Sequence, residues 1–470
     1  MTELFQDRGK VIEFFSQRGI LLSPAALDRI MGESLGGFVT DLISEESVSA
    51  GYISENDVSR LLQKQHTVKT PKYEVDFANV KVKSSVDDFR NYFRSRYEKI
   101  SKLITLSMSM RGTVSIRNAR KALTGEVKIV GMVSDQSVTI NGHKRIVVED
   151  LKDTITVLLL KNNGLAGENI LLDEVVGIVG SVSGKNGDPV IFAKEIVRPD
   201  IPAGSIRDYS GNPDYVVSVS DVHVGNKTFL PDSFRNMISW IGSGNDLAEN
   251  VKYLVLSGDV VDGVGVYPGQ EADLDILNPY EQYMKLADFL DGVPEDVSVF
   301  VMPGNHDVVR LAEPQPVLPD RLRNDFPANV TFLPNPYNLN LEGRNVLLYH
   351  GMSLNDMVEL IPGISYDTIG RAIEEMLKRR HLAPRYGGKT PMIPAPEDYH
   401  VIEKVPDILI TGHVHSHAIG NYKGVRYVNS STWQNQTSYQ KMMNFSPNPC
   451  IATLFDLNSR NYFLKDFKGS

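Results

Sequence analysis

Five short polar segments each close an apolar run, and only a fold that gathers the ends of those runs can use them. Asp221-Val222-His223, Gly258-Asp259-Val260-Val261-Asp262, Gly304-Asn305-His306-Asp307, His350-Gly351 and Gly412-His413-Val414-His415 follow Tyr215 to Val219, Tyr253 to Leu256, Val297 to Met302, Val346 to Tyr349 and Ile408 to Thr411. The runs are continuous in Val, Ile and Leu, as expected of strands buried on both faces. Strand ends in layered α/β folds border a common crevice, so residues some two hundred positions apart can converge there.

The residue types point to a pair of divalent cations. Two ions about 3.5–4 Å apart need one ligand that touches both, which a carboxylate does, while imidazoles and an amide oxygen complete each side. Asp259 is the bridging candidate. Asp221 and His223 lie two apart, so in an extended chain both side chains leave one face, and His413 and His415 repeat that spacing. A water shared by two such ions would ionise near neutral pH and attack phosphorus in line with the leaving oxygen. His306, beside Asn305, is placed to protonate that oxygen, and Asp307 to orient the imidazole.

In order and spacing these segments resemble the signature of the calcineurin-like metallophosphoesterases: D-x-H, G-D-x-x-D, G-N-H-D/E, a lone His and G-H-x-H. The resemblance implies that Asp221, His223, Asp259 and His415 hold one ion, and Asp259, Asn305, His350 and His413 the second, with His306 as general acid. Asp262 fits the motif and is read as a support behind the ligands.

Residues 1–65 read as a small helical domain, with Val11, Phe14 and Phe15 on one face and Ser54-Glu55-Asn56-Asp57 capping a helix that carries Val58, Leu61 and Leu62. Residues 66–84 lack helical period and read as a linker. Residues 85–200 begin with a helix capped by Ser85, in which Val86, Phe89, Phe93, Tyr97, Ile100 and Ile104 recur at helical spacing. Five strand-like runs follow: Val127 to Val133, His143 to Glu149, Thr154 to Leu160, Val175 to Val182 and Val190 to Ile196. A non-strand segment after the third fits an OB-like barrel, and the scarcity of aromatics on these runs favours protein docking over strand binding. Residues 201–470 form the phosphoesterase domain. The fold class is therefore multidomain α/β: a layered α/β-sandwich phosphoesterase core, an OB-like barrel and a small N-terminal helical domain.

The net charge of −9 argues against a chain that coats nucleic acid by bulk electrostatics. A local basic patch remains: Lys378, Arg379, Arg380, Arg385 and Lys389 fall in an acid-free stretch with Tyr386 between two metal-binding strands. Two accounts stand side by side, cations and an aromatic that guide DNA, or an ordinary helix end ahead of Pro384. The single cysteine, Cys450, excludes an internal disulfide and reads as a buried small hydrophobe. No apolar stretch is long enough to span a membrane, and acids near Met1 argue against a signal peptide, so a cytoplasmic chain is expected.

The order of helical unit, linker, barrel and phosphoesterase is similar to that of the small subunits of archaeal family D DNA polymerases and, more distantly, to the B subunits of eukaryotic replicative polymerases. The local likeness rests on Ser220-Asp221-Val222-His223-Val224-Gly225, Leu256-Ser257-Gly258-Asp259-Val260-Val261-Asp262-Gly263 and His381-Leu382-Ala383-Pro384-Arg385-Tyr386-Gly387-Gly388. It implies a 3′–5′ proofreading exonuclease, manganese as the preferred ion, a large polymerase subunit as partner, and DNA with a single-stranded or mismatched 3′ end as substrate. Mg, Fe and Zn suit the same donors. Contact with a sliding clamp stays open, since Gln440 to Phe445 lacks paired aromatics. Two other classes also stay open: a small-substrate phosphodiesterase or phosphatase, and a non-catalytic docking subunit.

Overall fold

The computed structural model describes residues 8–17, 20–32, 52–53, 77, 80, 83–122, 124–184, 188–202, 211–442 and 444–469. Two compact units result, Met1–Lys72 and Tyr73–Ser470. In the first, helices Arg8–Ser16 and Pro24–Gly32 accompany a parallel pair of two-residue strands, Leu21–Leu22 and Tyr52–Ile53. Of the expected face, Val11 and Phe15 are buried there and Phe14 is half-buried. The expected cap at Ser54 to Asp57 and its helix lie outside the described residues.

The second unit opens with α1 (Val86–Thr105), whose Ser85 and Asp88 form a reciprocal capping box. Its buried stripe is Tyr92, Arg96, Ile100 and Ile104, rotated from the expected one: Val86 is exposed, and Phe89, Phe93 and Tyr97 are half-buried. The rotation follows from Arg96, a charge that the hydrophobic pattern passes over. Its guanidinium donates to Asp398 (2.6 Å), the Pro384 carbonyl (2.8 Å) and Tyr92 Oη (3.1 Å), so it is buried with partners for its N–H groups.

After α2 (Ile116–Ala122) come β1 (Thr124–Val138), β2 (Lys144–Glu149), β3 (Thr154–Leu159), β4 (Val175–Ser183) and β5 (Val190–Val197). They close a barrel in the order β1-β2-β3-β5-β4, with β3 and β5 parallel and the other pairs antiparallel. Each expected run falls on one strand, and two short 3-10 turns occupy the gap after β3. Alternation puts Ile129, Val133, Ile146, Val148, Ile155, Val157, Ile178 and Ile191 into one core.

The remaining chain builds two sheets. The first has the order β9 (Val330–Phe332), β8 (Ser298–Met302), β7 (Val251–Ser257), β6 (Tyr215–Val219), β15 (Ile451–Asp456), β16 (Tyr462–Asp466), parallel from β9 to β6. The second has the order β10 (Tyr337–Leu341), β11 (Arg344–Leu348), β12 (Ile408–Thr411), β14 (Val425–Asn429), β13 (Ala418–Tyr422), with β11, β12 and β14 parallel. On one face of the first sheet Val217, Val219, Leu254, Leu256 and Val299 pack with α3 (Pro231–Ile241) and α4 (Pro279–Leu290). On one face of the second, Leu347, Leu409 and Tyr427 pack with α5 (Leu354–Leu360) and α6 (Ile369–Arg379). The intervening residues Val216, Val255, Phe300, Leu348, Ile410 and Val428 are also buried, and Ser218 Oγ lies 2.6 Å from Ser430 Oγ. The sheets therefore face each other with helices outside, which is why their strands are apolar on both faces. Burial of every residue in β6, β11, β12 and β14 agrees.

Much of the basic stretch is engaged in structural contacts. Arg379 and Arg380 are each 2% exposed. Arg379 ion-pairs with Glu375 and with Glu174 (3.2 Å) and donates to the Asn169 carbonyl, while Arg380 donates to the Ile402 and Glu403 carbonyls (both 2.7 Å). Arg385 pairs with Asp173 (2.9 Å), Lys389 with Glu359 (2.9 Å), and the Tyr386 ring packs against Phe89, Tyr92 and Phe93. The DNA-guiding account is corrected for Arg379 and Arg380, whose guanidiniums are buried against Glu174 and backbone carbonyls and cannot meet a phosphate; Arg385 and Tyr386 brace the following loop against Asp173 and α1, and Lys389 is exposed with a surface partner. Apart from Glu375, one turn back on α6, the acids that pair with them lie far away in sequence, so the stretch looked free. Among the described residues no helix is long and apolar enough to cross a membrane. Cys450 is fully buried, as expected.

Candidate active site

All seven expected ligands meet at the ends of β6, β7, β8, β11 and β12. Asp221, His223 and His415 have ligand atoms within 4.8 Å of one another, and so do Asp259, His350 and His413. His223 Nε2 lies 3.0 Å from His415 Nε2, and His415 Nε2 3.3 Å from Asp221 Oδ1. Asp259 Oδ2 stands between the groups, 4.0 Å from His223 Nε2 and 3.3 Å from His350 Nε2. Asn305 Oδ1 lies 3.1 Å from His350 Nε2.

The loops reach this arrangement by an unexpected route. Asp221 and His223 are not extended: both have φ of 53°, with Val222 between them in the core. Asp259, His413 and His415 also take positive φ, at 49°, 74° and 57°. Five of the thirteen described non-glycine residues with positive φ are thus candidate ligands, a concentration of backbone strain of the kind found at functional sites. The shared face expected from extended spacing is replaced by alternating left-handed turns. Hydrogen bonds from Asp221 N to Gly258 O and from His223 N to Asp259 O, both 3.0 Å, lock the first two loops together. Close approach explains two motif glycines. A Cβ at Gly304 would fall on Asp259 Oδ1 and 2.6 Å from His350 Nε2, and one at Gly412 would fall on Ser220 Oγ and 2.6 Å from Asp221 Oδ2.

Each imidazole is held from behind, which fixes the direction its ring faces. Asp262 Oδ1 lies 2.9 Å from His223 Nδ1, and Asp262 Oδ2 accepts from Asn226 (3.1 Å) and Gln270 (2.9 Å), matching the supporting place expected of this aspartate. His350 Nδ1 is 2.9 Å from the Ser257 carbonyl, His415 Nδ1 2.9 Å from the Gln440 amide and His413 Nε2 2.8 Å from the Asn355 amide. Sequence reasoning missed Asn226, Gln270, Asn355 and Gln440. For Asn355 a signal existed, a polar residue in the first turn of the helix that follows His350-Gly351; Gln440 sits in an otherwise unmarked segment.

His306 N donates to Asp259 Oδ1 (2.7 Å), and His306 Nδ1 lies 2.9 Å from the Asp262 carbonyl, which can only accept, so Nδ1 carries the proton. Asp307 does not orient this ring. Its Oδ2 accepts from Gly304 N (2.8 Å) and Val260 N (3.3 Å), and its Oδ1 from Tyr283 Oη (2.8 Å). It braces the β8 loop, and adjacency in sequence had suggested a contact that side-chain direction does not make.

Electrostatics follow from burying charges of both signs. Burial would lift the Asp221 and Asp259 carboxyls, yet His415 and His350 respectively, with other imidazoles, hold both low. Burial opposes protonation of His223 and His350, but Asp262 and Asp259 raise them to about 9 and about 10. His413 is pushed down by burial, and by His350 beside it, to about 3, and burial also lowers His306. Burial and the Asp259 charge lift Asp307 to about 7.

Two aspartates, four histidines and an asparagine make an N/O donor set suited to first-row divalent cations. Asp221 Oδ1 is buried without a hydrogen-bond partner, an anomaly that a cation would satisfy. The residues fit two such ions, for which protons on the histidines would compete. A third grouping, His223, Asp262 and His306, is a poorer candidate because the Asp262 oxygens are already engaged.

Residues 216–419 match the family model for the B subunit of DNA polymerase alpha/epsilon. The DNA polymerase II small subunit of Thermoplasma acidophilum is 60% identical over 461 residues, covering 98% of this chain and 93% of that protein. The DNA polymerase II small subunit of Archaeoglobus fulgidus is 44% identical over 376 residues, covering 78% of this chain and 74% of that one. An identity of that extent, running through the barrel and both sheets, leaves one assignment: the chain belongs to the family of archaeal DNA polymerase II small subunits.

Proposed function

We propose that this chain is a 3′–5′ exonuclease subunit of a replicative DNA polymerase, hydrolysing phosphodiester bonds at frayed or mismatched 3′ ends while bound to a large polymerase subunit. In this reading the facing sheets are a calcineurin-like metallophosphoesterase core and the barrel is of OB type. The observation that carries it is the pair of ligand groups with Asp259 Oδ2 between them and the His306 backbone N–H on the same carboxylate. Asp221, His223, Asp259 and His415 would hold one divalent cation, manganese by preference, and Asp259, Asn305, His350 and His413 the other. Bound there, two ions would supply Lewis acidity toward the phosphate and activate water near neutral pH.

The protein's own groups divide the remaining work. Asp262, Ser257, Gln440 and Asn355 fix the imidazoles. As the water oxygen bonds to phosphorus and the bond to the 3′ oxygen breaks, the leaving oxygen needs a proton. His306 in its cationic form delivers it from Nε2, while Nδ1–H remains on the Asp262 carbonyl.

The test is digestion of 3′- and 5′-labelled single-stranded DNA by the purified chain with manganese, beside an Asp259→Ala control and bis-nitrophenyl phosphate. Stepwise shortening from the 3′ end, absent in the control, is the expected result. Cleavage of the small ester alone would replace the exonuclease with a small-substrate phosphodiesterase. Inertness toward both, with the large subunit added, would leave a docking subunit.

A further inference from the structure

The loop 263–269 leaves the site directly after Asp262 and carries exposed apolar groups that neither core absorbs. Val264, Val266 and Tyr267 are 39%, 37% and 39% exposed. The loop is nevertheless tightly held. Buried Gln270 donates to both the carbonyl and Oδ2 of Asp262 (2.9 Å each) and accepts from Val266 N (2.9 Å). The Tyr267 hydroxyl donates to Asp273 (2.9 Å), which fixes the ring by its far end. A Cβ at Gly263 would meet the His306 carbonyl and lie 3.3 Å from Val266 Cγ2, so this valine borders the His306 backbone. The Tyr267 ring centroid lies 6.4 Å from that of His306, inclined at 66°, so the imidazole edges the tyrosine without covering it. A fixed, half-buried aromatic beside the proton donor is a surface for a planar ligand.

We propose that Tyr267, flanked by Val266, is a stacking platform for the base of the penultimate nucleotide, the one whose 3′ oxygen leaves. This rests on the exonuclease reading, because His306 must lie beside the leaving oxygen and the base on the same sugar then falls on the Tyr267 side. The aromatic on the opposite flank is otherwise engaged. Tyr366 packs on Phe445 with centroids 5.5 Å apart and gives its hydroxyl to Asn355 (2.9 Å), behind His413. Every base has a π face, so such a platform accepts any sequence, as a proofreader requires, and a frayed end reaches it more readily than a paired one.

The test uses the full-length chain, with and without manganese, and single-stranded oligonucleotides carrying 2-aminopurine at the penultimate or the terminal 3′ position. Fluorescence quenching reports stacking whether or not hydrolysis occurs. Wild type should quench the penultimate probe. Tyr267→Ala should lose most of that quenching and bind about tenfold more weakly, whereas Tyr267→Phe, which keeps the ring, should retain both. Equal quenching by wild type and Tyr267→Ala overturns the platform, and loss confined to the terminal probe overturns the nucleotide assigned to it. Strand shortening without a quenching difference would sustain the exonuclease and sink the platform; a quenching difference without shortening would do the reverse.

Discussion

At the scale of single residues, the sharpest distinction is between groups that would hold a cation and the one that moves a proton. His306 contacts the site through its backbone N–H, the Asp262 carbonyl and an edge contact with the His223 ring (4.7 Å), and none of the hydrogen bonds that orient the candidate ligands comes from its imidazole. His306→Gln should therefore lower kcat by about 10²–10⁴ while metal content, measured by elemental analysis, stays near that of wild type. Loss of metal together with activity would show that the imidazole is a ligand and that the proton comes from elsewhere. The candidate ligands were legible because a coordination set demands particular atoms in order along the chain. The residues behind them were not, since a supporting hydrogen bond can come from any polar side chain at any separation: Gln440 reaches His415 over 25 positions and Asp262 reaches His223 over 39. Asp307 shows the converse, a neighbour in sequence whose carboxylate points into its own loop.

At the scale of elements, strands came through well because continuous apolar runs have one stable use, burial on both faces. Helix faces came through less well. α1 buries Arg96 inside a stripe that hydrophobicity alone would assign differently, and α6 ends in Arg379 and Arg380, whose charges are satisfied by the barrel and by carbonyls. Spacing within an element reports its own pattern and nothing about the partner that completes it. Arg379→Ala should accordingly cost about 3 kcal/mol of stability, the usual penalty for breaking a buried ion pair, read by urea denaturation. DNA affinity and its salt dependence should stay unchanged. Normal stability with weakened, less salt-sensitive DNA binding would return this residue to the nucleic-acid surface.

At the scale of the whole second unit, α1, the barrel and both sheets fold as one body, joined near Asp398. That carboxylate, despite burial, is held well below the usual range by His381 and Arg96. His381 gives Nε2–H to Asp398 (2.9 Å) and accepts from Ala383 N (3.0 Å) at Nδ1, a neutral ring with both nitrogens satisfied. Burial lowers it to about 4. An unfolded imidazole titrates near 6.5, so between about 6.5 and 4 the unfolded chain binds the extra proton and stability falls as pH falls, by about 3 kcal/mol for a shift of this size. Unfolding followed from pH 7 to 4 should show this slope, reduced in His381→Gln; identical slopes would exclude the ring as its source. The left-handed backbone of five ligands bears on the same unit differently. At about 1 kcal/mol each, those conformations together rival the net stability of a small domain. In a lineage that no longer cut anything, glycine or asparagine at these positions would fold as well or better, so drift would erase the chemistry first and leave the scaffold standing. Five unrelaxed positions in one chain are what the proposed catalytic role requires and what a purely docking subunit would have no need to keep.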